Sequence, residues 1–330
     1  MKIFRKEKKK NGRRHIFFMG IKVASYKKKL KATASPVIIT EPKAEKKKTT
    51  FEIYDYLKKY SYILDKNFSI EDSKESNYVW QYWGQGIENA PDIVKRCFES
   101  VNTYCSDSKI IRLTDDTVEN YIELPSFIKE KMKKGIISKT HFSDYLRTCL
   151  LAKYGGTWID ATVLLTDKIP NNILNSDFFV FRPIAWSECG FVPSMQMLKL
   201  LDKIPTYLGS FLCLSVWFIH TKTNNRILLY TKALLEEYWK NETTLIDYFI
   251  FHYFITLCVL NDNGCKKIYE TMPNLANRNP HLLQNVLLDK YDEILFSEIK
   301  KLSSIHKLTY KKTDSKTSFM SMLLANNYKA

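Results

Sequence analysis

The chain has 330 residues, 45% of them hydrophobic, which is enough to bury a substantial core. Its formal net charge of +16 points towards nucleic acid only until the charge is divided along the chain. Residues 1–50 contain 17 Lys and Arg against 3 acids, while the other 280 residues carry a net charge of only +2. The basicity therefore belongs to a tail, and the globular part is nearly neutral, so we expect no nucleic-acid partner.

Cysteine usage and hydropathy exclude further classes. The seven cysteines are scattered without any C-x-x-C pair, which argues against a disulfide framework or a zinc site and favours a reducing compartment. No apolar run reaches the roughly 18 to 20 residues of a membrane helix, and the basic start lacks the pattern of a secretory signal. We expect a cytoplasmic protein, peripheral at most on the inner face of the membrane.

The tail, residues 1–50, is predicted to be a flexible extension. It consists of a basic arm, an apolar island at residues 16–23, a second basic cluster and a linker containing Pro36 and Pro42. Two interpretations stay open. The island could lie in the headgroup layer of an anionic membrane, held there by Lys and Arg, or the tail could be a solvated segment that only aids solubility.

From residue 51 to residue 330 the pattern is that of one α/β domain. Helical spacing covers residues 51–64, and a β-rich strand covers residues 78–83. A helix over residues 91–101 and a strand over residues 109–113 complete a β-α-β beginning. In such sheets ligands bind beyond the carboxyl ends of the strands.

The next helix and strand are the most informative. Ser143 is predicted to cap a helix over residues 143–154, which Gly155 and Gly156 end before a strand over residues 157–165. Another strand is predicted over residues 178–182, and the later part is more helical, with amphipathic stretches over residues 225–239 and 245–260.

Polar residues at defined spacing mark a candidate site in this helix and strand. Asp144 and Arg147 are three apart and share one helix face, so a carboxylate and a guanidinium can be presented together. Asp160 stands in an otherwise apolar strand, which is costly unless it has a function or a partner. An ordinary surface ion pair is the alternative for Asp144 and Arg147 taken alone.

The run from Ser143 to Thr162 resembles the S-D-x-x-R…Y-G-G-x-[WY]-x-D signature of DxD-type sugar transferases. Specifically, it resembles the capsular polysaccharide synthesis proteins, which are related to retaining enzymes of the GT-A nucleotide-sugar fold. W-Q-Y-W-G-Q-G at residues 80–86 resembles that family's first strand, and blocks near Trp217, Asp247 and His306 resemble its later parts. The likeness spans roughly residues 51–311.

The resemblance implies a bacterial-type hexosyltransferase with a GT-A (Rossmann-like) domain and a helical C-terminal part. The enzyme would move a sugar from a nucleoside diphosphate, with UDP as the first guess, to a lipid-linked oligosaccharide in surface polysaccharide synthesis. Asp144, Arg147 and Asp160 would be catalytic. The same three would also bind the donor together with a further set: Trp80, Gln81, Tyr82, Gly155, Gly156 and Lys307.

The resemblance also implies a divalent cation, Mn²⁺ or Mg²⁺, bound by Asp160, Thr162 and His306. One departure bears on this prediction. The usual Asp-x-Asp is here Asp160-Ala161-Thr162, with a hydroxyl in place of the second carboxylate. Because Mg²⁺ commonly keeps several waters and needs few protein carboxylates, we still expect the metal.

Several residues have two interpretations that the sequence leaves open. Trp80 and Trp83 could pack in the core or stack on the base of the donor. His220 and His252 lie among aromatic residues, which favours core histidines over ligands. Asp247 could orient an acceptor hydroxyl or stand at a helix N-terminus.

Two other functions compete with sugar transfer. A glycoside hydrolase would need two carboxyl groups on opposite sides of the scissile bond. A non-enzymatic protein could bind a membrane surface or nucleic acid through its basic tail, with an affinity that falls steeply with salt.

Overall fold

The computed structural model describes residue 48, residues 50–66, 72–182, 214–311 and 317–325, and the backbone of residues 4–8, 13–18 and 21–27. The chain divides into two units, Met1–Lys47 and Lys48–Ala330. Cys189 and Cys213 lie outside the described residues, and the other five cysteines are buried free thiols.

The first unit contains three antiparallel strands, β1 Phe4–Lys8, β2 Arg13–Phe18 and β3 Ile21–Lys27. β2 is central and pairs with β1 on one side and with β3 on the other. Most of the predicted apolar island therefore lies in β2 and β3. We predicted no strands in this segment, because within the three strands basic and apolar residues alternate only over residues 21–23. The flexibility of this segment remains a prediction.

The second unit is built on a mixed five-stranded sheet. Its strands are β4 Tyr78–Tyr82, β5 Lys109–Leu113, β6 Gly156–Ile159, β8 Phe178–Phe181 and β9 Ser215–Thr221. Their order is β5-β4-β6-β9-β8, with β4 parallel to β5 and β6, and β9 antiparallel to its two neighbours. The predicted α/β class is confirmed, and the parallel strands lie in the half that begins the domain.

Helices surround the sheet and dominate the C-terminal part, as predicted. A 3₁₀ helix, Lys58–Asp65, directly follows the α-helix Thr50–Leu57. The helices are α1 Thr50–Leu57, α2 Asp92–Tyr104, α3 Ser126–Lys133, α4 Lys139–Tyr154, α5 Asn171–Leu174, α6 Arg226–Asn241, α7 Ile250–Asn261, α8 Asn263–Thr271, α9 Leu282–Val286, α10 Glu293–Leu302 and α11 Phe319–Leu324. None of the helices in the described ranges is both long and apolar enough to cross a membrane.

Two predicted helix starts were wrong. α4 begins four residues before Ser143, because the hydroxyl of Ser138 accepts the backbone N–H of His141 and caps the helix there. α7 begins at Ile250 rather than near Leu245, because the carboxylate of Asp247 accepts the backbone N–H of Phe249 in a turn before the helix. Asp144 and Arg147 consequently lie beyond the first turn of α4.

The predicted strand over residues 157–165 is broken at Asp160, so that prediction was also wrong. Val163 N–H donates to the carbonyl of Asp160 at 2.9 Å, which closes a turn immediately after β6. The chain then forms β7 Val163–Leu165, which leaves the main sheet and pairs antiparallel with β10 Ile305–Lys307. The turn exposes a polar corner where continuous apolar sequence had suggested one strand.

The glycine pair at the end of α4 brings that helix against the sheet. Gly155 and Gly156 have φ of +63° and +90°, which other residues rarely adopt. The carbonyl of Gly155 accepts the indole N–H of Trp80 at 2.9 Å, and a Cβ on Gly156 would lie 2.2 Å from the carbonyl oxygen of Tyr78. Only glycine lets β6 start this close to β4.

Replacing Gly156 by Ala should lower the free energy of unfolding by about 2 to 4 kcal/mol, because the backbone clash adds to the cost of positive φ. Urea denaturation measures this loss. Gly135 is a matched control, since its φ is +70° but nothing lies within 4 Å of its Cβ position. Gly135→Ala should cost only about 1 to 2 kcal/mol, and equal losses in both variants would contradict the clash.

Candidate functional site

The candidate site lies at the turn after β6, where three separate parts of the chain meet. β6 supplies Asp160 just beyond its carboxyl end, α4 supplies Asp144 and Arg147, and β10 supplies Lys307. This position agrees with the general location of ligand sites in α/β sheets.

Arg147 lies between the two carboxylates. Its Nη1 is 3.4 Å from Oδ1 of Asp144, and its Nη2 is 3.4 Å from Oδ1 of Asp160. The guanidinium is fixed further by the backbone, because Nη1 donates to the carbonyl of Val216 at 2.6 Å and Nε to the carbonyl of Ser143 at 3.2 Å. With its side chain only 5% exposed, Arg147 is a rigid buried cation.

Lys307 contacts Asp160 from β10, which belongs to the separate β7–β10 strand pair. Its Nζ donates to Oδ2 of Asp160 at 2.8 Å and to Oγ1 of Thr162 at 2.7 Å. The indole N–H of Trp158 donates to the other carboxylate oxygen of Asp160 at 2.8 Å. Both oxygens of Asp160 are thus hydrogen-bonded, although 23% of its side chain remains exposed.

The two carboxyl groups have pKa values shifted in opposite directions. Burial raises the pKa of Asp144 to about 6, although Arg147 opposes the rise. Burial also acts to raise the pKa of Asp160, but the charges of Lys307 and Arg147 outweigh it and lower that pKa. Asp160 is therefore a firmly ionised group, whereas Asp144 takes up a proton in mildly acidic solution.

The side chain of His306 does not join the cluster formed by Arg147, Lys307 and the two carboxylates. It precedes Lys307 on β10, and alternate residues of a strand point to opposite faces. Its side chain is fully buried, with Nε2 3.0 Å from the hydroxyl of Thr166. Burial lowers its pKa to about 4, so the ring is neutral at pH 7.

The residues predicted to bind the donor on and just after β4 differ in how deeply they are buried. Trp80 has no exposed surface and stacks on Tyr78 at 4.9 Å between ring centroids, so the structure favours packing over base stacking for Trp80. Gln81 is also fully buried, and its Oε1 accepts from Arg112 at 3.0 Å. Trp83, just after β4, is partly exposed and lies edge-on to Tyr310 at 5.5 Å.

A second polar group, which we did not predict from the sequence, lies near the carboxyl ends of β4 and β5. Asp115, two residues beyond β5, accepts a hydrogen bond from Tyr82 and forms an ion pair with Lys139. A Cβ on Gly84 would lie 2.7 Å from this carboxylate. The signal was available, because an acid directly after a parallel strand stands where ligands bind.

His220, His252 and Asp247, whose roles the sequence left open, form hydrogen bonds within the fold. Nδ1 of His220 lies 2.8 Å from the hydroxyl of Thr157, and its Nε2 lies 3.0 Å from the carbonyl of Leu174. Nε2 of His252 lies 3.2 Å from the carbonyl of Leu214. Burial lowers both histidine pKa values to about 4, as expected for core histidines. Asp247 holds the turn before α7.

The three side chains predicted to hold a divalent cation, those of Asp160, Thr162 and His306, already contact other side chains. Lys307 already bridges Asp160 and Thr162, whose oxygens were predicted to bind the metal, and His306 faces elsewhere. Among the residues that the structure describes, no three His, Cys, Asp or Glu side chains cluster as metal ligands. One carboxylate that is already paired with two cations does not fit a protein-held Mg²⁺ or Mn²⁺ site.

Comparisons with known proteins found a matching family and similar proteins. A family model described as capsular polysaccharide synthesis protein matches residues 36–325. The O-glycosyltransferase PaGT of Phomopsis amygdali is 29% identical over 109 residues, which are 30% of this chain and 27% of PaGT, so the chain matches about a quarter of that relative's length. The solved structure of the PaToxG glycosyltransferase aligns with a TM-score of 0.34 and 12% sequence identity. The alignment covers 67% of this chain and 80% of the PaToxG chain.

The raised pKa of Asp144 predicts a pH effect on stability. Between about pH 4 and pH 6 the folded chain keeps a proton at Asp144 that the unfolded chain has released, so this group's contribution to stability falls as pH rises. Asp144→Asn should remove the penalty. Relative to wild type, its free energy of unfolding should gain up to about 3 kcal/mol between pH 4 and pH 7.

Urea denaturation across this pH range measures the difference. Asp116→Asn is the matched control, since Asp116 is exposed and should follow the wild-type curve. Parallel curves for wild type and Asp144→Asn would contradict the prediction.

Proposed function

Because the chain belongs to the family of capsular polysaccharide synthesis proteins, we propose that it transfers a sugar from a nucleoside diphosphate to a saccharide hydroxyl in surface polysaccharide synthesis. The observation that carries the proposal is the meeting of Asp144, Arg147, Asp160 and Lys307 beyond the carboxyl end of β6. We further propose that the sheet and its helices form a GT-A type domain and that transfer retains the anomeric configuration.

The cations of the site suit the chemistry of a leaving diphosphate. Negative charge develops on the diphosphate as its bond to the anomeric carbon breaks, and fixed cations stabilise that charge in a water-poor site. Lys307 reaches the cluster from β10 with 19% of its side chain exposed, so its ammonium borders the open side. The buried guanidinium of Arg147 adds positive potential to the site and holds both carboxylates in place through its ion pairs.

The carboxylates suit the recognition of sugar hydroxyls. Asp160 stays ionised and keeps part of its side chain exposed, so it can accept hydrogen bonds from a donor sugar or ribose. Asp144 is more deeply buried beside Arg147. A hydrolase reading is less favoured, because Arg147 pairs with both carboxylates instead of leaving two opposed groups free to flank a glycosidic bond.

We propose a lipid-linked oligosaccharide as acceptor, which would place the reaction at the cytoplasmic face of a membrane. The +14 charge of residues 1–50 supports this, because each Lys or Arg near an anionic surface contributes about 1 kcal/mol to binding. UDP is the donor nucleotide that we propose to test first.

Asp160→Asn should lower the rate of sugar transfer at least about 100-fold, because it removes the charge that holds Lys307 and Arg147 in position. Release of nucleoside diphosphate from UDP-, GDP- and ADP-sugars measures the activity, and the anomeric configuration of the product tests retention. Asp167→Asn is the matched control, since Asp167 is exposed in the same chain segment. Failure of wild type to bind or turn over any nucleotide sugar would contradict the proposed function.

The full chain should sediment with vesicles that contain anionic lipid and not with neutral vesicles. Replacing Lys27, Lys28 and Lys29 by Gln should reduce the bound fraction several-fold, because it removes three charges from the tail. Binding should weaken between about 0.05 and 0.5 M salt as screening increases. Equal sedimentation with neutral and anionic vesicles would contradict an electrostatic role of the tail.

A further inference from the structure

We propose that the ammonium group of Lys307 takes the place of a divalent cation, so that this chain binds the donor diphosphate and releases it without a metal. The inference rests on the proposed function and specifies how that site handles the diphosphate charge. Its basis is the position of Lys307 Nζ between the first and third residues of Asp160-Ala161-Thr162.

The geometry is that of a cation bound by these two residues. Nζ lies 2.8 Å from Oδ2 of Asp160 and 2.7 Å from Oγ1 of Thr162, both normal for charge-assisted hydrogen bonds. An ammonium has three N–H donors. Within the described part of the chain, Asp160 and Thr162 account for two of them, which leaves one to donate to a phosphate oxygen at the exposed side.

The third residue of the motif keeps the site from being anionic before the diphosphate binds. With Thr162, the cluster has two carboxylates, Asp144 and Asp160, against two cations, Arg147 and Lys307. A second motif carboxylate would leave a net negative charge that a metal would have to neutralise. The neutral hydroxyl of Thr162 instead accepts from Lys307 and keeps its own proton to donate.

The fold holds Lys307 in this position. In the β7–β10 ladder Lys307 stands opposite Val163, and the next backbone N–H, of Leu308, donates to the carbonyl of Thr162 at 2.8 Å. The ammonium also lies 5.9 Å from the ring centroid of Trp217, within cation–π range. A metal at the same place would have to displace a positive charge that the backbone keeps there.

The transfer step balances without a metal. The bond between the anomeric carbon and the diphosphate oxygen breaks, and its electron pair stays on that oxygen, towards which Lys307 donates its remaining N–H. The acceptor hydroxyl oxygen forms the new bond to the anomeric carbon, and its proton passes to the leaving diphosphate. Lys307 remains protonated throughout.

Binding of UDP, GDP, ADP and CDP to the full chain, measured by calorimetry, tests the inference without an acceptor or turnover. With wild type, affinity for the preferred nucleotide should change less than about twofold between EDTA and 5 mM Mn²⁺. Lys307→Met should weaken this binding at least tenfold in EDTA, and Lys307→Arg should restore part of it. Lys301→Met is the matched control, since Lys301 is an exposed lysine of α10.

A double variant provides a second test that does not depend on loss of function. Thr162→Asp with Lys307→Met supplies the second carboxylate and removes the ammonium, so nucleotide binding should now require Mn²⁺. Thermal unfolding identifies variants that fail to fold. If Lys307→Met does not fold, Lys307→Arg is measured in its place, because it keeps the charge.

The outcomes separate the inference from the proposed function. Wild-type binding that is lost in EDTA and restored by Mn²⁺ would overturn the role of Lys307 while supporting a nucleotide-dependent transferase. Binding that is unchanged in folded Lys307→Met would overturn it as well. If no nucleoside diphosphate binds with or without metal, the proposed function fails and the inference fails with it.

Discussion

The ionised carboxylate of Asp160 is the constraint on which the site depends. A partly buried charge needs partners, and Asp160 obtains them from Arg147 on α4, Lys307 on β10 and the indole of Trp158. Each partner imposes a condition on the fold. α4 must lie against β6, β10 must run beside β7, and the chain must turn at Asp160. The position of the turn after β6 therefore depends on how α4, β7 and β10 pack.

Much of this arrangement could be predicted from the sequence because its signals are local. Helix spacing places Asp144 and Arg147 on one face, and the glycine pair marks the end of α4. The short strand Lys109–Leu113 was predicted with its observed bounds. The α/β class and the helical C-terminal part follow from the same alternation of patterns.

The rest depends on long-range partners that a local pattern does not contain. Apolar residues continue past Asp160, so sequence alone could not show that Val163 leaves the main sheet to pair with Lys307. For the same reason it could not decide which of His306 and Lys307 faces the site, since strand register decides that. The start of α4 was missed because Ser138 and Ser143 are both acceptable caps, and only one is used.

The ion pair between Lys307 and Asp160 joins residues that are 147 positions apart. During synthesis from the N-terminus, Asp160 emerges long before its lysine partner, and contacts of such separation form late because closing the loop costs entropy. The charge-balanced corner is therefore completed only after Lys307 has been made. On the proposed role of Lys307, a chain that stops short of β10 cannot assemble a working donor site, so the order of synthesis delays activity until β10 has emerged.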